Sequence, residues 1–132
     1  MTQPVLQQAL APILVIEDEP SVIAFLQAAL RRKGYQVEHA GSGQDGLEML
    51  RKGRYGGVIS DVRMPGSVNG ADVHAWIQKH RPELAARIIL ISGDTANSDT
   101  QTLLERSGTP CIEKPFRVQQ LIAVVERTFG KP

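Results

Sequence analysis

The side chains best equipped for charge chemistry fall in four short stretches. Glu17, Asp18 and Glu19 are consecutive; Asp61 follows Gly57-Val58-Ile59-Ser60; Ser92 precedes Gly93; Lys114 precedes Pro115-Phe116. Two carboxylates about 4 Å apart repel by roughly 4 kcal/mol at an effective dielectric near 20. Acids brought together therefore need a cation, a shared proton or both. A hard oxygen site with few protein ligands and open water positions suits Mg²⁺, with Mn²⁺ as the alternative ion.

The question is what would bring these stretches together. Each follows a short apolar run: Ile13–Ile16, Gly57–Ser60, Ile88–Ile91 and Cys111-Ile112, with a further strand over Tyr35–Ala40. Such runs read as strands covered on both faces. Between them lie helical patterns. Val22, Phe25, Leu26, Ala29 and Leu30 recur at helical spacing between Pro20 and Gly34, a good opening and a good stop. Leu47 and Leu50 give a short helix ending near Gly53, and Val73, Trp76, Ile77 and His80 share one face before Pro82. Asp94–Arg106 is polar, with Leu103 and Leu104 its only large apolar residues, and reads as a weakly anchored helix. Val118, Leu121, Ile122, Val125 and Phe129 mark the last helix. Five strands alternating with five helices specify an α/β fold, a doubly wound five-stranded parallel sheet. Ligands of such sheets bind beyond the carboxyl ends of the strands, where all four stretches fall.

The chain has 132 residues, enough for one domain. Residues 1–11 read as an N-terminal tail and 12–130 as the domain. With 42% hydrophobic and 22% charged residues it is no disordered chain. Its net charge of +1 supplies no overall field for nucleic acid or an anionic membrane, and neither is expected as a partner. One cysteine, Cys111, excludes an internal disulfide, and no apolar run approaches a membrane span. The tail lacks a basic, apolar leader pattern, so a cytoplasmic location is expected. His39, His74 and His80 lack metal-ligand spacing and read as surface or helix-end residues, and Arg31-Arg32-Lys33 complements the dipole of the first helix.

The Ile13–Asp18 strand with its acidic end, Asp61 followed by Met64-Pro65, the Ser92-Gly93 pair and Lys114-Pro115-Phe116 occur here in that order. Over about residues 12–130 the sequence resembles the receiver domain of two-component response regulators, which have the flavodoxin-like fold. The resemblance implies a signalling domain, not an enzyme, that catalyses only its own phosphorylation and slow dephosphorylation. Asp61 would be the phosphoacceptor, taking phosphate from a phosphohistidine of a histidine kinase or histidine phosphotransfer protein. Asp18 and Asp61 would ligate Mg²⁺, with Glu17 and the backbone carbonyl of Arg63 completing the set. Lys114 and Ser92 would hold phosphoryl oxygens, and the Lys114-Pro115 bond would be cis. Phosphorylation would then alter a surface that an unidentified downstream protein reads.

Three departures stand out. Glu17 replaces the usual Asp, the loop Met64–Gly70 looks one residue longer than the commonest form, and Cys111 occupies a position that usually carries Tyr or Phe. Similar cysteine-bearing segments occur in receivers attached to hybrid sensor kinases. Two other readings compete. Gly41, Gly43 and Gly46 form a literal G-x-G-x-x-G, with Asp61 20 residues after Gly41, as in a dinucleotide-binding domain. A small metal-dependent phosphohydrolase with an aspartate nucleophile would want an acid two residues beyond it, where Arg63 stands.

Overall fold

The run Ile13–Ile16 forms β1, and all four residues are buried. In the computed structural model, which describes residues 11–132, β1 is followed by α1 (Pro20–Arg32), β2 (Val37–Ala40), α2 (Gly43–Lys52), β3 (Gly57–Asp61) and α3 (Gly70–His80). A 3-10 turn (Pro82–Leu84), β4 (Ile88–Ser92), α4 (Ser98–Ser107), β5 (Cys111–Glu113) and α5 (Val118–Phe129) follow within the described residues. Apart from Ala11, the expected tail lies outside the described residues.

The strands are parallel in the order β2-β1-β3-β4-β5. The order reverses between β1 and β3, and a crevice opens at such a switch point. Side chains alternate across the sheet with a period of two. Ile13, Val15, Ile59, Ile89 and Ile91 pack with Leu26 and Leu30 of α1 and Leu121 and Val125 of α5. Leu14, Ile16, Val58 and Leu90 face the other way, onto Leu50 of α2 and Val73 and Ile77 of α3. Burying each such side chain contributes about 1.5–3 kcal/mol, so both faces of the central strands are firmly held.

Several details differ from the sequence reading. β2 begins at Val37, because Tyr35 is drawn under the sheet, where its hydroxyl donates to the Gly130 carbonyl at 2.6 Å. α4 starts four residues later than the polar stretch suggested. Asn97 caps it, accepting from the backbone N–H groups of Asp99 (2.9 Å) and Thr100 (3.2 Å). Thr100 is its one buried residue. His74 is buried rather than superficial: its Nε2 lies 3.0 Å from the Thr109 hydroxyl, linking α3 to the segment before β5. Burial pushes its pKa down.

The long loop after β3 ends in a capping box, in which Asn69 and Asp72 each accept the other's backbone N–H at 3.0 Å. α3 then starts against β3 itself. A Cβ at Gly70 would collide with the Asp61 carbonyl oxygen and stand 2.7 Å from the Val62 Cα. Only glycine fits there. Among the described residues no helix is long and apolar enough to cross a membrane.

Candidate functional site

β1 and β3 are neighbours with Ile16 opposite Ser60, so Glu17 and Asp61 emerge side by side at the switch point. Both are buried. Glu17 Oε1 accepts the N–H groups of Asp18 and Glu19, each at 3.1 Å, and Asp61 Oδ1 accepts that of Arg63 at 3.1 Å. From β5, the Lys114 N–H donates to the Ser92 carbonyl at 2.8 Å, and the Lys114-Pro115 bond is cis. The Lys114 ammonium lies 2.7 Å from Asp61 Oδ2, 3.0 Å from Glu19 Oε1 and 3.2 Å from Glu17 Oε2.

Carboxylate oxygens of Glu17, Glu19 and Asp61 lie within 4.8 Å of one another. One ammonium among three carboxylates leaves the group short of positive charge, by up to two when all three acids are ionised. Glu17 Oε2 is buried and accepts no aligned hydrogen bond, despite the nearby ammonium. A donor-starved oxygen among converging carboxylates fits a hard cation such as Mg²⁺. Burial raises the Glu17 pKa to about 7; the Glu19 N–H opposes the shift, the Asp61 charge adds to it, and Lys114 opposes it. Burial works against the Lys114 ammonium, but hydrogen bonds to Asp61 and Glu19, with the Asp61 charge, outweigh it and hold its pKa above the ordinary lysine value.

Of the residues singled out in the sequence, Asp61, Glu17 and Lys114 converge directly. Ser92 is buried at the end of β4, beside β5, and its hydroxyl accepts the Asp94 N–H at 3.0 Å. Arg63 meets Asp61 through its backbone N–H, with an exposed side chain. Asp18 is half-buried, and its carboxylate lies outside the three-acid group. Glu19, placed by the sequence at the same edge but without a ligand role of its own, joins that group. The available signal was its position in an unbroken acidic run directly after a buried strand. Cys111 is half-buried, and burial, with the Glu113 and Asp61 charges behind it, pushes its thiol pKa up.

The profile of the response regulator receiver domain matches residues 13–126. The chain belongs to this family. The receiver is 34% identical over 120 residues to the DNA-binding transcriptional regulator NtrC of Azospirillum brasilense, covering 91% of this chain and 24% of that protein. It is 32% identical over 111 residues to the response regulator ArlR of Staphylococcus aureus, covering 84% of this chain and 49% of ArlR. The chain thus spans half or less of the length of these relatives. It also superposes on the Thermotoga maritima response regulator TrrA, solved in complex with Mg²⁺-BeF, with a TM-score of 0.76 and 29% identity; 89% of this chain and 98% of that one are covered.

The competing readings find no support. The glycines of the G-x-G-x-x-G are spent on packing: a Cβ at Gly43 would collide with the Val68 carbonyl oxygen, and one at Gly46 would stand 2.5 Å from Ile16 Cδ1. The face a pyrophosphate would approach is filled by the chain itself. Asp61, cast there as the ribose acid, is engaged with Lys114 instead. For a phosphohydrolase, the place of the second acid holds the exposed cation Arg63. Receiver domains are signalling domains of two-component systems rather than ordinary enzymes.

Proposed function

We propose that Asp61 is the phosphoacceptor of this receiver and that residues 12–130 form the unit that carries it. The observation behind this reading is the Asp61 carboxylate at the switch point, 2.7 Å from an ammonium and among the acids of a cation site. An Asp61 oxygen attacks phosphorus of a phosphohistidine in line; the new P–O bond forms as the P–N bond breaks, and the imidazole leaves with the bonding pair. Most of the work is positioning and charge neutralisation. Lys114 moves its ammonium to one phosphoryl oxygen, and the Ser92 hydroxyl turns to another.

Glu17, Asp18, Asp61 and the Arg63 carbonyl are the residues proposed to hold Mg²⁺. When bound, Mg²⁺ neutralises charge that develops on the transferring group. The donor is a histidine kinase or a histidine phosphotransfer protein, the location is the cytoplasm, and the output is an altered surface for a downstream protein. The same site catalyses slow loss of its own phosphate.

The test is Mg²⁺-dependent labelling with a small phosphodonor, read by intact mass on the native chain and on Asp61→Asn. One phosphate on the native chain and none on the variant is expected. Equal labelling of both would move the acceptor elsewhere, and no labelling of either would overturn the reading.

A further inference from the structure

Glu19 is the acid that neither the family pattern nor the sequence reading gave a role. Its carboxylate reaches Lys114 Nζ at 3.0 Å from the open side of the site, with 56% of its side chain exposed against 7% for Asp61 and 0% for Glu17. The ammonium is thus shared between two buried acids and one at the mouth. The two buried acids are also those a divalent ion must engage, and Glu17 Oε2 already lacks an aligned donor. An ion arriving there meets the ammonium as a competitor. Driving a largely buried ammonium away with no new partner would leave an unpaired charge, a costly arrangement. Glu19 removes that cost, because the ammonium can give up Asp61 and Glu17 while one ion pair stays intact.

We propose that Glu19 is a positioning residue that holds the Lys114 ammonium when a divalent cation takes Asp61 and Glu17, so that ion binding becomes an exchange of partners. This rests on the metal site of the preceding reading and adds to it. The same hold keeps the ammonium at the mouth, near the place an incoming phosphoryl group must occupy. Glu19 acts through Lys114, and that dependence makes the role separable from direct ligation of the ion.

Mn²⁺ affinity, measured by electron paramagnetic resonance on the complete chain, tests it in four forms: native, Glu19→Gln, Lys114→Met and the double variant. Glu19→Gln is isosteric at a largely exposed position, and circular dichroism verifies that each form is folded. Supporting groups around a metal site typically contribute 10–100-fold to affinity, so Glu19→Gln should weaken Mn²⁺ binding about tenfold in the native background. With Lys114→Met there is no ammonium to hold, and the same substitution should change affinity less than twofold, on the order of the additivity error for uncoupled sites. An equal loss in both backgrounds makes Glu19 a ligand and overturns the proposal, as does no loss in either. Absence of Mn²⁺ binding by the native chain overturns the metal-site reading and this proposal together, whereas the first two outcomes leave that reading standing.

Discussion

The β1–β3–β4 heart of the sheet and the α4–β5 edge are built from the same kinds of elements but held very differently. Every residue of β1, β3 and β4 is buried. In α4 only Thr100 is buried, Leu103 and Leu104 are half-buried, and β5 contributes Ile112 as its one buried residue. The strongly held half carries Glu17 and Asp61, whose mutual geometry must not drift. The lightly held half begins directly after Ser92 and leads to Lys114, the two groups proposed to follow the phosphoryl group. The buried acids and the Lys114 end of the chain are thus held with different firmness within one sheet, and Ser92, the last residue of β4, stands at the border between the two. Elements that move are drawn from the low-stability end of a structure.

The largest effect expected to sharpen this contrast comes from paired truncations. Leu90→Ala, in fully buried β4, should cost about 2–5 kcal/mol of unfolding free energy, while Leu103→Ala in α4 should cost about 1 kcal/mol or less. Urea unfolding measures both, and equal losses would erase the distinction. Next is the cap of α4. Asn97→Ala should cost about 1 kcal/mol, read as roughly fivefold faster amide exchange across 98–107 with the β3 amides unchanged. Faster exchange throughout the domain would mean that α4 and the heart open as one unit.

The smallest effect concerns the bond between α3 and the segment before β5. His74 is buried neutral and its pKa is depressed, so the unfolded chain takes up the proton first as pH falls below the ordinary histidine value of about 6.5. The stability contribution is present above that pH and is lost as pH falls toward the native-state pKa. Thermal melting at pH 7.5 and 5.5 should show a smaller drop for His74→Gln than for the native chain. Identical drops would show that His74 titrates alike in both states.

Much of the fold was legible because the strands are short apolar runs bounded by turn residues, and a parallel order puts their ends on one edge. Asp61, Glu17 and Lys114 could be placed together on that basis alone. Glu19 and Asp18 could not be told apart by sequence: consecutive residues just after a strand point in directions that the local turn decides. In this turn the N–H groups of both fold onto Glu17 Oε1. His74 was misread because its burial depends on a partner, Thr109, 35 residues away. The start of α4 was misplaced because a polar helix and a polar loop look alike until Asn97 is seen to cap one and end the other.

The contact at Gly70 has a mechanical consequence. Most helices rest on a sheet through interleaved side chains, a layer that can absorb small displacements by changing rotamers. At its first residue α3 has no such cushion: its backbone lies against the carbonyl of Asp61, and the Gly70 N–H is bonded to the Val62 carbonyl at 2.9 Å. A push on the start of that helix therefore bears directly on the main chain of Asp61, and a shift of Asp61 bears directly on the helix.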